Sequence, residues 1–555
     1  MAANSPLPHA KMYRVLYIPE LLDMIFGMLD HDSNSNNARV CRQWSEIALD
    51  SLWRDVDQLE RLFGVLAPLR RVGKDEYEFE RLPESDDWKR FEKYAGRVRR
   101  LVYHSSADNP KIRKSMFDDV ARTRTRIDVL PNMHTLQWYA PLSLCVMFMH
   151  AGVKHFSVFL PVELETISPR PFFQDIASRM PKLTSIDFRS DVSVRAIEEE
   201  MRGLLAQLPM LRKITFPRYY LTSKIAETLS RLENLGIIEF QYHDEQGCGD
   251  PSDMIPFAPE FEKGAFPSLW DHSMTTSFAD AARFLDVAYA PPNLTMLYIR
   301  FEHYRNPIRD PPHALRRRRE LPRTQPGQDG DEFTISIDTL KPVLKLPNLT
   351  SLEIIHQHPL ALKQEDIEVL AAAWPALETL MLNNEPVHLT SSHLSLDALL
   401  PFAKHCTKLH HLGLFLDATS VASPISPSLS LTLTPFTSLK KLSMGVSIID
   451  DDRAVALFLS HLLPEGCTVD CGITWEETED VQDGIVETVS RRCEAWTKVA
   501  KFLPVLVGLR MEERERTRAM ERELDDLRMR AEVVRGSQSL ANGVRLELNS
   551  MCILI

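Results

Sequence analysis

One six-residue segment constrains this chain more than any other feature: an apolar residue, two of any kind, a second apolar residue, one of any kind, and a third apolar residue. It reads Leu183-Thr184-Ser185-Ile186-Asp187-Phe188 and returns at Leu211 to Phe216, Leu235 to Phe240, Leu294 to Ile299, Leu349 to Ile354, Leu377 to Leu382, Leu409 to Leu414 and Leu439 to Met444. Weaker copies start at Val98, Met133, Val153, Leu269 and Cys467. Period-two alternation predicts one short strand per copy. Successive starts lie mostly 20 to 35 residues apart, which leaves room for a helix or an irregular crossover in between. A unit this small cannot bury its apolar face alone, so neighbours must stack and share one continuous core. Seven prolines, Pro131, Pro181, Pro209, Pro267, Pro292, Pro347 and Pro375, each stand two residues before the first apolar position. Proline there stops the preceding helix and holds the chain extended as it enters the strand. This punctuation argues for repeats more strongly than the leucines do, since any core would contain leucine.

The period is similar to that of leucine-rich repeats, and an α/β solenoid is expected over residues 95–475. The alternative is an α/β domain with a parallel sheet, which needs fewer and longer strands. Position eight after the first leucine, often Asn or Cys in regular repeats, is here Asp191, Tyr219, His243, Glu302, Gln357, Glu385, Asp417 and Ser447. No interior asparagine ladder is expected. Between Leu294 and Leu349 the spacing stretches to 55 residues, and the surplus from Asn306 to Gly330 is rich in Pro, Arg, Gln and Asp. A disordered loop is expected there, inserted over 303–333. Its Arg316 to Arg319 run is read as a solvated loop, with a nuclear address or an acidic-target contact as the other readings.

Near the N-terminus, Leu21, Leu22, Ile25, Phe26 and Leu29 recur at three- and four-residue intervals after Pro19, which predicts a short helix with one apolar stripe. Proline is tolerated in a first helical turn because its missing amide has no intrahelical partner. A second apolar set, Val40, Cys41, Trp44, Ala48, Leu49, Leu52 and Trp53, follows the polar stretch His31 to Asn37. Two such short helices cannot bury stripes this wide against each other, so they must cover a partner, the rest of the chain, or both.

Residues 13–57 resemble an F-box, carried by Ile18-Pro19-Glu20, the Leu22 and Ile25 ridge, Leu29-Asp30, Val40-Cys41-Arg42-x-Trp44 and Leu52-Trp53. The closing Leu-Trp followed by irregular leucine repeats is similar to many fungal F-box proteins. The sequence departs from that family in its middle helix, where Ser33-Asn34-Ser35-Asn36-Asn37 stands in place of the usual leucines. The resemblance implies docking on a Skp-family adaptor, and through it on a cullin scaffold. The expected contact residues are Ile18, Pro19, Leu21, Leu22, Ile25, Phe26, Leu29, Val40, Cys41, Trp44, Leu49 and Trp53. A substrate-recognition subunit of a ubiquitin ligase is then expected, with the repeats selecting a protein target of unknown identity. A leucine-rich scaffold that never meets a cullin is the alternative.

Composition narrows the function classes. At 555 residues the chain exceeds one ordinary compact core. Its net charge of -12 argues against general nucleic-acid binding, which needs a basic surface. Eight scattered cysteines fit reduced thiols in the cytoplasm or nucleus, and Met1 to Lys11 lacks the apolar core of a secretory leader. The stretch from Leu142 to Leu160 carries His150, Lys154 and His155 and is read as a helix followed by a strand. There is no phosphate loop, dinucleotide fingerprint, nucleophile elbow or His-Glu-x-x-His pair, so no cofactor, metal or catalytic group is expected. Cys467, Cys471, Cys493 and His461 lack convincing zinc spacing and are read as buried groups near the last repeat.

The remaining divisions are a disordered tail over 1–12, linker helices over 58–94, C-terminal helices over 476–537 and a tail over 538–555. Within the C-terminal helices, Met520, Leu524, Leu527, Ala531 and Val534 recur at four-three spacing. Two heptads are fewer than the three or four wanted for reading a coiled coil from sequence, so a helix packing along the last repeat and then running into solvent is expected. The final Cys552-Ile553-Leu554-Ile555 matches the C-a-a-X arrangement for prenylation. One lipid would give weak, reversible membrane association.

Overall fold

The computed structural model describes residues 18–72, 76–105, 111–240, 246–286, 291–301, 335–389, 391–420, 433–474 and 485–551, with side chains only to residue 535 in the last helix. The expected N-terminal tail, the inserted loop with Arg316 to Arg319, and Cys552 lie outside the described residues. The chain forms two compact units, Met1–Arg318 and Arg319–Ile555.

The first unit opens with three helices: α1 (Pro19–Gly27), α2 (His31–Asn37) and α3 (Arg42–Arg54). The last residue of α3 is followed directly by a two-residue strand, β1 (Asp55–Val56). From β1 onward the repeats add one parallel strand each: Arg100–His104, Thr135–Tyr139, His155–Leu160, Ser185–Ser190, Lys213–Phe216, Ile237–Phe240, Asp271–Thr276 and Met296–Phe301. Each strand after β1 begins two residues beyond the first apolar position of its segment. That first residue closes the turn inside the core while the fourth and sixth point inward from the strand. Leu183, Ile186 and Phe188 are each fully buried.

Register aligns these inward positions from repeat to repeat. Val56 lies opposite Leu101, and the row continues through Leu136, Phe156, Ile186, Ile214, Ile238, His272 and Leu297. His272 thus occupies a place that its neighbours fill with aliphatic or aromatic side chains. The stretch from Leu142 folds as a short helix (Leu142–Cys145), a 3-10 turn (Val146–Phe148) and the strand His155–Leu160, as its polar residues required.

The stretch expected as linker helices, 58–94, is only partly helical. Between the helices Leu59–Leu66 and Ser85–Ala95 lies an antiparallel pair, Leu69–Val72 with Glu76–Phe79, which Lys111–Ile112 extends in parallel. Charge closes it on the exposed side, where Arg113 contacts Glu76 at 2.7 Å and Glu78 at 3.0 Å.

The second unit repeats the same grammar. Its parallel strands are Ser351–Ile355, Thr379–Leu382, His411–Leu414, Lys441–Ser443 and Thr468–Asp470, with Leu352, Leu380, Leu412, Leu442 and Val469 in register. The C-terminal helices expected over 476–537, and the tail after them, are instead a single helix, Ile485–Met551, of 67 residues that runs through Pro504. Its first third packs on the last repeat through Val489, Trp496, Val499, Leu503 and Val507, all buried. Trp496 Nε1 donates to the Ser447 carbonyl at 2.9 Å.

In place of an asparagine ladder, several polar side chains bridge adjacent turns where the strands end. Ser190 Oγ donates to the Leu160 carbonyl at 2.9 Å and accepts from Val192 N at 3.1 Å. Ser447 Oγ donates to the Leu414 carbonyl at 3.1 Å and accepts from Leu416 N at 2.9 Å. Asn383, at φ 47°, accepts from His356 N at 2.9 Å and donates to the His358 carbonyl at 2.7 Å. A buried backbone group left unpaired costs about 1–3 kcal/mol, which is why a short polar side chain recurs at these bends.

Candidate functional site: an apolar ridge on the N-terminal helices

The N-terminal helices are too short to stand alone, and their boundaries are fixed by local chemistry. Pro19 opens α1, with Ile18 extended before it and Leu22 N donating to the Ile18 carbonyl at 3.0 Å. Asp30 caps α2 by accepting from Ser33 N at 2.8 Å, and hydrogen bonds from the Ser33 hydroxyl and backbone amide together hold its carboxyl below the usual carboxylate range. Cys41 begins α3, its sulfur accepting from Trp44 N at 3.5 Å.

A small core joins the three helices. Leu22, Phe26 and Ala48 are buried in it, with Ala38, Trp44 and Ile47 packed against them, and the Phe26 and Trp44 rings meet edge to face at 5.4 Å. The polar middle helix enters this core through Asn34, which is 3% exposed. Asn34 Nδ2 donates to the Phe26 carbonyl at 2.8 Å and to Ser51 Oγ at 3.3 Å. It thereby satisfies a C-terminal carbonyl of α1 and ties all three helices together. The sequence contains this device, yet apolar periodicity cannot find it.

The expected contact residues separate into three groups. Leu22, Phe26 and Trp53 face inward: the first two fill the core, and Trp53 packs edge-on against Tyr94 at 5.2 Å, with Arg61 over its ring at 5.1 Å. They are structural supports, not surface. Leu21, Trp44 and Leu49 are half-buried. Ile18, Pro19, Ile25, Leu29, Val40 and Cys41 are exposed. Two methionines join this outer set, Met24 at 60% and Met28 at 81% exposure. Helical spacing places Leu21, Ile25 and Met28 on one face, with Met24 and Leu29 beside it. A ridge of large apolar side chains this dense on so small a bundle is a candidate docking surface. Met24 and Met28 escaped the sequence reading because it followed leucine and isoleucine positions, whereas thioether side chains suit adaptable contact surfaces.

The bundle is tied to the first repeats. Arg97, mostly buried, pairs with both Glu46 and Asp50 of α3, and its guanidinium also donates to the Glu46 carbonyl at 3.0 Å. Arg54 reaches Asp23 at 3.2 Å, joining the end of α3 to α1.

The outward positions of the repeat strands form a second surface, of mixed charge. In the first unit Lys213 meets Glu239 at 2.5 Å, and burial, with Glu239 beside it, raises the Asp271 carboxyl to about 6. In the second, Lys441 meets Asp470 at 2.8 Å, and burial, with Glu385 nearby, raises Glu353 to about 6. Cys467, Cys471 and Cys493 are partly rather than fully buried. Burial pushes the Cys467 thiol up to about 12 and that of Cys493 to about 11. Among the described residues no group of three or more His, Cys, Asp or Glu side chains could hold a metal ion, and no helix is long and apolar enough to cross a membrane.

Comparison with known proteins agrees with this geometry at the N-terminus. Residues 19–59 match the family model described as F-box-like. No curated protein sequence matches the chain. Solved structures similar to it include the TLR13–ssRNA13 complex, at 13% identity over 69% of this chain with a TM-score of 0.34, where the match spans 55% of that chain. Another is the leucine-rich repeat-containing protein LegL7 from Legionella pneumophila, at 13% identity over 64% of this chain and 94% of that one, with a TM-score of 0.32. The chain therefore carries an F-box-like segment at residues 19–59, ahead of the parallel repeat strands described above.

Proposed function

We propose that the chain is the substrate-recognition subunit of an SCF-type cullin ubiquitin ligase, its F-box docking on a Skp-family adaptor and its repeats binding a protein target. The observation that carries this reading is the ridge of Met24, Ile25, Met28, Leu29 and Val40, left uncovered on helices that match the F-box model. The chain would contribute no catalytic group. Its chemistry would be proximity, since holding a target lysine beside a charged ubiquitin carrier raises effective concentration.

Capture by a purified Skp-family protein tests the proposal. Each exposed anchor is worth on the order of 1–3 kcal/mol when desolvated, so Ile25→Ala with Met28→Ala should weaken capture at least tenfold while leaving the melting curve intact. Leu22→Ala should also lose capture, but by loosening the small core, and so with a lowered melting temperature. Wild-type chain that fails to bind where a reference F-box binds would leave the leucine-rich scaffold as the better reading.

A further inference from the structure

The long C-terminal helix outruns the repeats it rests on. Its buried side chains end at Val507, and Arg514 makes a last contact, donating to the His461 carbonyl at 2.9 Å. Every residue from Glu515 to Val533 is exposed. An isolated helix is marginal in water unless a partner covers its apolar face. The free stretch has such a face: Met520, Leu524, Leu527 and Ala531 follow four-three-four spacing, and Met520, Leu524 and Leu527 are each more than half exposed. At 3.6 residues per turn this stripe is centred roughly a quarter turn from the one resting on the last repeat, so it is a new seam and not an overrun of the old one.

We propose that this segment pairs with the same segment of a second copy of the chain, as a two-stranded coiled coil around Met520, Leu524, Leu527 and Ala531. The flanking charges choose that occupant. If the helices run parallel and in register, the positions beside the seam bring Arg516 to the second copy's Glu521 and Glu523 to its Arg528. If they run antiparallel, Glu523 meets Arg530 and Glu521 meets Arg528. Either way four ion pairs form per dimer. One like-charged contact involving Arg535 occurs twice in each arrangement, with Arg530 when parallel and with Arg514 when antiparallel. A seam meant for a partner of one charge would carry the opposite charge on both flanks. This one is complementary to itself. The inference does not rest on the adaptor reading, since the F-box ridge and this helix share no residue.

Sedimentation of the full chain from low to high micromolar concentration tests it. A species of twice the 63.6 kDa chain mass should grow with concentration. Leu524→Glu with Leu527→Glu should raise the dissociation constant by more than about tenfold, with the melting transition of the repeats unchanged and helical circular dichroism lost only to the extent of the free stretch. Glu523→Arg should weaken pairing in either orientation. Adding Arg528→Glu should restore a parallel pair, and adding Arg530→Glu an antiparallel one. A chain that stays monomeric throughout, a dimer indifferent to the double glutamate change, or a failure of both second reversals to rescue would each overturn the proposal.

Discussion

His272 shows what a fixed register does to a residue that does not suit it. The strand Asp271–Thr276 places it in the inward row between Ile238 and Leu297, fully buried, with its ring stacked on Phe284 at 5.1 Å and neither ring nitrogen meeting a protein partner. Burial lowers its pKa to about 3, so the native imidazole stays neutral. The consequence for stability has a definite sign. Above pH 6.5 the ring is neutral folded and unfolded, and nothing is gained or lost. As pH falls below 6.5 the unfolded chain takes up a proton that the native chain refuses, so stability declines continuously toward about pH 3. Leucine fills the same row at Leu101, Leu136 and Leu297. His272→Leu should stabilise the first unit modestly at pH 7 and by about 1–2 kcal/mol more at pH 5, because it removes both the unpaired nitrogens and the titration. Melting curves at the two pH values check this, and equal acid sensitivity in both proteins would refute it. The sequence marks the position through the weak copy beginning at Leu269, but it does not say that the histidine lacks partners. The same limit applies at the docking ridge. Leu22 and Ile25 share one apolar run, and only the placement of α3 decides that the first faces inward and the second outward.

At the scale of elements, the repeat strands were legible because two signals coincide: period-two apolar alternation and a proline two residues upstream. Elements without a period were not. The two-residue β1 is too short to alternate, and the antiparallel pair at Leu69–Val72 and Glu76–Phe79 is held by Arg113 and by pairing instead of an apolar stripe. An interior proline such as Pro504 costs a helix about 3 kcal/mol and favours a break. The break does not occur where Leu503 and Val507 are buried on either side of it. The overlooked β1 matters for where the F-box ends. Val56 and Leu59 are buried, and Val56 pairs with Leu101 at the edge of the first full repeat. A chain truncated to begin at residue 51 should therefore keep its repeats stable, whereas one beginning at residue 61 should lose about 5–9 kcal/mol from three missing buried side chains, those two and Trp53. It would also expose a parallel sheet edge that invites association. Circular dichroism melts with light scattering would distinguish them, and identical behaviour would mean that β1 does not seal the sheet. Glycine at 445 makes a separate demand. At φ 50° an added Cβ would overlap the Asn384 carbonyl oxygen, and both features mark Gly445→Ala as strongly destabilising for the last repeats.

For the molecule as a whole, a subunit that works by proximity needs its adaptor-binding and target-binding surfaces held at a fixed separation, because effective concentration collapses when the connection is loose. In the first unit the N-terminal helices join the repeats without a linker. Helix α3 ends at Arg54, β1 begins at Asp55, and the joint is braced on one side by Trp53 against Tyr94 and on the other by Arg97. Sequence reading placed a boundary at residue 57 and missed this brace, since a single arginine forty residues past the helix has no periodic signature. Arg97 is mostly enclosed while Glu46 and Asp50 remain largely solvated, so its loss should cost about 1–2 kcal/mol and not the larger penalty of a fully buried pair. The effect should be local. In Arg97→Ala, amide hydrogen exchange along Arg42–Arg54 should quicken while the strands from Thr135 to Phe301 keep their protection. Adaptor capture should persist, because Ile25 and Met28 are untouched. Arg97→Lys keeps one charge but not the planar fork that reaches both carboxylates and the Glu46 carbonyl, so it should fall between the two. If exchange in α3 is the same in all three proteins, the brace is not what fixes the F-box to the repeats, and Trp53 on Tyr94 would have to hold the joint alone.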